Sequence, residues 1–348
     1  MSANPTPGIE PGNVTEWLAA NVEGCRPPVS FELVAAGGSN LTYRVTDAAA
    51  NTWALRRPPV TAVLATAHDV AREWRILEAL GAHTDVPVPA AVARCEDPGV
   101  TGGPFYVMGF VDGLVLRDAT DGATLGSRGC EVATDSLIDV QVRFHAVDLD
   151  AVGLGDLARN RTGYVERQLH RWMTQVERGR VRDLPALDDL HARLSDTIPP
   201  VKSEPALAHG DYRFDNCVLG PDRRVAAVLD WELCTIGDPV ADFCWSLMYW
   251  ADPGDPVPFL DSSPTLAPGF PRRADVAARY EERAGRSLDA LPWFTVFSYW
   301  KMACIVEGVH ARRLKGARGG AAGGDVGAIA RRAERFLDHA AAVADGVC

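Results

Sequence analysis

The sequence predicts an α+β protein of two lobes, an N-terminal antiparallel sheet lobe followed by a larger, mainly helical one. Three observations predict it. Short runs with strand character recur early, at Ser30–Ala35, Leu41–Thr46 and Thr52–Arg57, with turn residues between them. From about Asp135 apolar residues fall instead at helical spacing, as at Ile138, Val142 and His145. Late in the chain, Cys217–Leu219 and Val225–Leu229 read as a short hairpin around Gly220–Arg224, directly after the segment His209-Gly-Asp-Tyr-Arg-Phe-Asp-Asn216.

Along the chain, Asn13-Val-Thr-Glu16 opens a short helix through about Val22, with Asn13 as cap and Glu16 reaching back. Gly37-Gly-Ser-Asn40 turns between the first two strands; its glycines let a backbone approach a phosphate closely, and Ser39 adds a hydroxyl donor. Thr66-Ala-His-Asp69 is a capping-box start for a helix whose apolar stripe is Val70, Trp74, Leu77 and Leu80, with Glu73 on its edge. Val86-Pro-Val-Pro89 interrupts the chain, and Phe105–Val111 is an apolar strand running into Asp112-Gly113. In the second lobe, Phe144-His-Ala-Val147 ends a helix, with His145 packed or capping rather than acting as a base. Tyr164–Val176 is amphipathic, and Glu166, Arg167 and His170 mark a solvated face. Ala251–Arg273 is a Pro-rich irregular excursion, Trp293–Val309 a buried aromatic helix, Gly316–Gly324 a Gly/Ala-rich link, and Ala328–Val343 a closing amphipathic helix.

With 348 residues, 47% hydrophobic and 23% charged, the chain has the composition of an ordinary globular protein. A net charge of -11 disfavours nucleic-acid binding, which needs cations against phosphates; it suits a cationic substrate or simply solubility. The cysteines at 25, 95, 130, 217, 234, 244, 304 and 348 form no CxxC pair and the histidines are dispersed, which argues against a zinc site. Met-Ser-Ala-Asn-Pro has no signal-peptide character and no apolar run is long enough to span a membrane, so a cytoplasmic protein with reduced cysteines, not acting at a membrane, is expected.

Chemistry concentrates in His209–Asp230. The apolar Ala206–Ala208 precedes His209 and Gly210, so Asp211 stands where the chain leaves the core. The hairpin brings Asn216 and Asp230 close together. One carboxylate to take a hydroxyl proton, with an amide and a second carboxylate to hold magnesium, is the set that phosphoryl transfer needs. Asx residues capping a turn are the plain alternative for Asp211 and Asn216 alone.

His209–Asn216 with Asp230 resembles the catalytic core of the aminoglycoside phosphotransferase and choline kinase family, small-molecule relatives of the protein kinases. More narrowly, it resembles the branch related to the phosphotransferase domains attached to some acyl-CoA dehydrogenases. The resemblance extends from Gly37 to about Leu314. It implies a two-lobed protein-kinase-like fold, with a nucleotide-clamp lobe at 1–108, a hinge at 109–113 and a catalytic and substrate lobe at 114–348. It implies ATP and Mg2+ as cofactors and the hydroxyl of a small molecule, aminoglycoside-like or hydroxyacyl, as acceptor. Asp211 is then the base, with Arg213 a cation beside it, and Asn216 and Asp230 the metal ligands. Gly37, Gly38, Ser39 and Asn40 cover the phosphates, and Met108 and Phe110 belong to the hinge segment Met108–Val111 against the adenine. The family's strand lysine is missing, because the lysines are Lys202, Lys301 and Lys315; Arg56 stands at the matching position, with Arg57 beside it. Glu73 is the expected partner of Arg56, the alternative being an exposed pairing with Arg72 or Arg75. Glu232 is a possible addition to the metal shell. Asp238 and Asp242, in Gly237–Asp242, are expected to anchor the catalytic loop and cap a helix Ala241–Trp250. Two competing readings are a nucleotide-binding regulatory module without transfer and a metallohydrolase built on His209, Asp211 and Asp230.

Overall fold

A computed structural model describes residues 6–36, 40–59, 70–200, 203–260, 262–316 and 325–346. Helix α1 (Pro11–Asn21) precedes strands β1 (Ser30–Ala36), β2 (Leu41–Thr46) and β3 (Thr52–Arg57); helix α2 (Val70–His83), β4 (Ala91–Cys95), the single turn α3 (Pro98–Thr101) and β5 (Phe105–Gly109) follow. The strands form one antiparallel sheet in the order β1-β2-β3-β5-β4. The first helix begins two residues before the expected Asn13 cap, because Pro11 fits the first turn, where its missing N–H has no partner to lose. The apolar strand ends at Gly109 rather than Val111.

Alternation along the strands decides what each face of the sheet meets. Tyr43, Val45, Leu55, Phe105 and Val107 pack with Val14 and Leu18 of α1 into one core. Ala54, Tyr106 and Met108 face the other way and join Ile76, Leu77 and Leu80 of α2 in a core that continues into the helical lobe. Arg56 and Arg57 therefore point to opposite faces. Arg57 is buried on the α1 side, where its guanidinium donates to the Thr101 carbonyl at 3.0 Å and to the Gly8 carbonyl.

At Gly113 a Cβ would stand 2.4 Å from the Leu219 carbonyl oxygen, so the site admits only glycine. Leu114 and Leu219 then exchange backbone hydrogen bonds of 2.9 and 2.8 Å.

The helical lobe contains α4 (Ala119–Ala123), α5 (Gly126–His145), α6 (Tyr164–Gly179), α7 (Pro185–Asp196), α8 (Pro239–Met248), α9 (Arg273–Ala284), α10 (Leu291–Leu314) and α11 (Val326–Ala344). Two small antiparallel pairs lie within it: β6 (Ala206–Ala208) with β9 (Thr235–Gly237), and β7 (Cys217–Leu219) with β8 (Val225–Val228). α5 starts well before Asp135; Gly126 and Gly129 mask its first turns in the sequence, but Cys130 and Ala133 are fully buried there. α8 begins at Pro239 rather than Ala241, capped by the Asp238 carboxylate, which accepts the N–H groups of Val240 and Ala241. No helix among the described residues is long and apolar enough to cross a membrane.

Candidate active site

Asp211 follows β6 and is held there by its neighbours. Gly210 adopts a left-handed backbone (φ 84), and a Cβ on it would stand 3.0 Å from the Leu233 carbonyl oxygen. The buried Asp242 carboxylate accepts the N–H of Gly210 at 2.8 Å, the N–H of His209 at 3.2 Å and His145 Nε2 at 3.1 Å. Burial raises the Asp242 pKa, and the His145 and backbone hydrogen bonds reverse that and bring it below the ordinary carboxylate value. His145 is packed, its Nδ1 lying 2.7 Å from the Tyr280 hydroxyl. His209 is fully buried: Nδ1 accepts the Asp211 N–H at 3.2 Å, so the proton sits on Nε2, which meets the Leu229 carbonyl at 2.9 Å. Both ring nitrogens are thus used, which removes His209 as a ligand for the metallohydrolase reading.

Asn216 Nδ2 donates to the Asp211 carbonyl at 2.7 Å and to Asp211 Oδ2 at 3.0 Å. This fixes the amide and leaves Asn216 Oδ1 as an oxygen donor. Arg213 Nε lies 3.3 Å from Asp211 Oδ1, and Nη1 lies 2.7 Å from Asp215 Oδ2, so its charge is shared between the two carboxylates. Its guanidinium rests 4.9 Å from the ring centroid of Tyr249. Burial and the neighbouring Asp211 carboxylate raise the Tyr249 hydroxyl well above its ordinary value, which keeps it a neutral donor.

The hairpin β7–β8 does what its spacing predicts. Leu229 N–H bonds the Asn216 carbonyl at 2.8 Å, which sets Asp230 next to Asn216. Asp230 itself is left-handed (φ 64, ψ 56), a conformation Asp tolerates better than most residues and one that recurs at functional positions.

The sheet lobe closes onto these residues. Arg56 Nε bonds Glu73 Oε2 at 2.9 Å, Nη2 contacts Asp230 Oδ1, and Glu232 Oε2 is 3.6 Å away. Glu73 thus pairs inward with Arg56, as its place on the helix predicts. Burial pushes Glu73 up to about 7, with Arg56 acting against that shift. Asn40, buried, donates from Nδ2 to Glu232 Oε2 at 2.9 Å. Arg72, the alternative partner for Glu73, reaches instead to the carbonyls of Glu232 and Cys234. Nothing in the sequence pattern distinguished Arg72 from a solvated arginine, nor pointed to Tyr249. Gly37, Gly38 and Ser39 lie outside the described residues.

Between the lobes is a cavity of about 480 Å³, lined by Ala54, Arg56, Tyr106, Met108, Phe110, Asn216 and Asp230 among others. Its size suits a nucleotide. Phe110 at its mouth carries the Arg44 guanidinium 4.6 Å from its ring centroid. The donors beside the cavity fit magnesium: an amide oxygen with its nitrogen tied elsewhere, and a carboxylate about one-third exposed. A hard cation that keeps waters and phosphate oxygens needs no more protein oxygens than these.

A five-stranded sheet closed over a helical lobe, with an acid, an amide and a second acid at the cleft, is the two-lobed architecture of the protein-kinase-like phosphotransferases. The chain belongs to the phosphotransferase enzyme family, whose profile matches residues 30–290. It is 34% identical over 288 residues to acyl-CoA dehydrogenase family member 10 of Mus musculus, covering 80% of this chain and 26% of that protein. It is 33% identical over 295 residues to acyl-CoA dehydrogenase family member 11 of Gallus gallus, covering 83% of this chain and 37% of that one. The chain thus spans about a quarter to a little over a third of these curated relatives. Among solved structures, one from Ralstonia eutropha JMP134 assigned to the aminoglycoside phosphotransferases is 32% identical, with a TM-score of 0.80 over 96% of this chain and 98% of that one.

Proposed function

We propose that this chain moves the γ-phosphate of ATP, with magnesium, to a hydroxyl group of a small molecule, an aminoglycoside-like or hydroxyacyl acceptor. The observation that carries the reading is the set of Asn216 contacts: its side-chain nitrogen holds Asp211, and its backbone carbonyl holds Leu229, so that Asn216 and Asp230 line one cavity. Asp211 positions the acceptor hydroxyl and receives its proton, while Arg213, 3.3 Å from its Oδ1, holds that carboxylate in place. Arg56, steadied by Glu73, is the cation for the ATP phosphates in place of the family's lysine. Asn40, with Gly37, Gly38 and Ser39, is assigned to the phosphate cover, and the segment through Met108 and Phe110 to the adenine. Asn216 Oδ1 and the Asp230 carboxylate are the oxygens that would hold magnesium, which when bound offsets phosphate charge. Residues 1–108 act as the nucleotide lobe, 109–113 as hinge and 114–348 as the catalytic lobe.

The test is ATP consumption by purified protein against aminoglycosides, choline-like alcohols and hydroxyacyl thioesters, with Asp211→Ala and Asp230→Ala as controls. Full turnover in both variants would overturn the mechanism. The contact between Arg56 and Asp230 favours one alternative, a regulatory module that binds nucleotide without transfer. It predicts ATP binding with no phosphorylated product from any acceptor.

A further inference from the structure

Lys301 is buried in α10, three residues after Ser298, so the two side chains share one face of the helix. Its ammonium lies 3.7 Å from the ring centroid of Trp245 on α8 and 5.9 Å from that of Trp172 on α6. Burial brings the Lys301 pKa down to about 8, against the pull of the Asp242 and Asp211 carboxylates, so the group stays largely charged at neutral pH. Two further donors belong to the same two helices, α8 and α10. Trp245 Nε1 and Ser298 Oγ are buried and have no hydrogen-bond partner among the described residues. A buried donor left unfilled loses its hydration without a replacement bond, so a fold that keeps two of them near a buried cation gains from filling them together. The carboxylates that reach Lys301 electrostatically already have other donors: Asp242 is taken by Gly210, His209 and His145, and Asp211 by Asn216 and Arg213.

We propose that Lys301, Trp245 and Ser298 form an oxyanion subsite on the acceptor side of Asp211, taking a carboxylate or comparable small oxyanion of the acceptor molecule. The proposal rests on reading Asp211 as the residue that faces the acceptor hydroxyl. The ammonium supplies charge, and the indole N–H and hydroxyl supply direction, which together match the two oxygens of a carboxylate. A polycationic acceptor would meet a like charge here, so the subsite selects between the acceptor classes named above.

The experiment follows the indole N–H resonance of Trp245 in the 15N-labelled full chain, assigned with Trp245→Phe. The protein is titrated with 6-hydroxyhexanoate and, separately, with 6-amino-1-hexanol. The subsite predicts a saturable shift with the carboxylate alone, lost in Lys301→Met and retained at lower affinity in Lys301→Arg. It also predicts that Lys301→Met raises KM for an anionic acceptor about tenfold or more while KM for ATP stays unchanged. Absence of a saturable shift in the folded wild-type protein, or an equal shift with the amino alcohol, overturns the subsite. A shift without phosphoryl transfer to any acceptor supports the subsite and overturns the kinase reading; transfer without a shift does the reverse.

Discussion

Asp242 Oδ1 accepts the backbone N–H of Gly210 at 2.8 Å, so a carboxylate on α8 fixes the turn that presents Asp211. The same carboxylate holds His145 and the His209 N–H, and its side chain is only 2% exposed. Removing it leaves several buried donors unsatisfied at once. Asp242→Ala is expected to lose about 3–5 kcal/mol of folding stability, read from the urea midpoint, with Asp242→Asn losing less because one acceptor oxygen remains. Should Asp242→Ala unfold at the wild-type midpoint, the anchoring role is wrong.

Arg56 and Arg57 are adjacent in sequence and opposite in position, which gives a paired test. Arg56 faces Glu73 and Asp230, whereas Arg57 is bound to carbonyl groups on the α1 side of the sheet. Arg56→Met should weaken ATP binding by about 10- to 100-fold, the worth of a charge-assisted contact of about 1.5–3 kcal/mol. Arg57→Met should leave ATP affinity near wild type and lower the melting temperature instead. Calorimetric titration and thermal unfolding on both variants separate the two effects, and equal losses of affinity would contradict the assignment.

The parts of this site that follow from short-range pattern were legible in the sequence. The hairpin puts Asn216 beside Asp230 because two short apolar runs and a Gly-Pro-Asp turn leave little choice of register. Glu73 pairs with Arg56 because a carboxylate on the edge of an apolar helix stripe needs a buried cation. The start of α5 was not legible, since its glycines suppress the helical signal and only tertiary burial of Cys130 and Ala133 holds it. Arg72, Tyr249 and Lys301 were also out of reach. Each acts on residues more than thirty positions away, and periodicity carries no information about which distant groups a side chain meets.

The bond from Asn216 Nδ2 to Asp211 Oδ2 predicts that the two residues fail together. Asn216→Asp puts a second negative charge against Asp211 and removes its donor. Turnover should fall by roughly 10²–10⁴-fold, the range for loss of a positioned general base. Asn216→Ala should show a similar fall together with a higher magnesium requirement, because the amide oxygen is gone too. Circular dichroism that matches wild type, with kcat and the magnesium dependence measured side by side, distinguishes this from misfolding. A variant with unchanged kcat would show that Asn216 only caps the turn.

Glu73 makes stability depend on pH in a direction opposite to that of an ordinary paired carboxylate. Its pKa in the folded protein is pushed up to about 7 from an ordinary 4.5 by burial, so the native state holds this proton more tightly than the unfolded chain does. The stabilising contribution of the neutral acid is therefore fully present below pH 4.5 and is lost as pH rises through 7. At its largest it amounts to about 3 kcal/mol, and the pairing with Arg56 supports the ionised form, on which the proposed ATP contact of Arg56 depends. Glu73→Gln keeps the shape and removes the titration. The stability of wild type minus that of Glu73→Gln should fall between pH 5 and 7.5, while ATP affinity of wild type rises over the same interval and that of the variant stays flat. Denaturant midpoints and ATP titrations across this range test both slopes, and a difference that is flat with pH would place the ionisation of Glu73 outside the window.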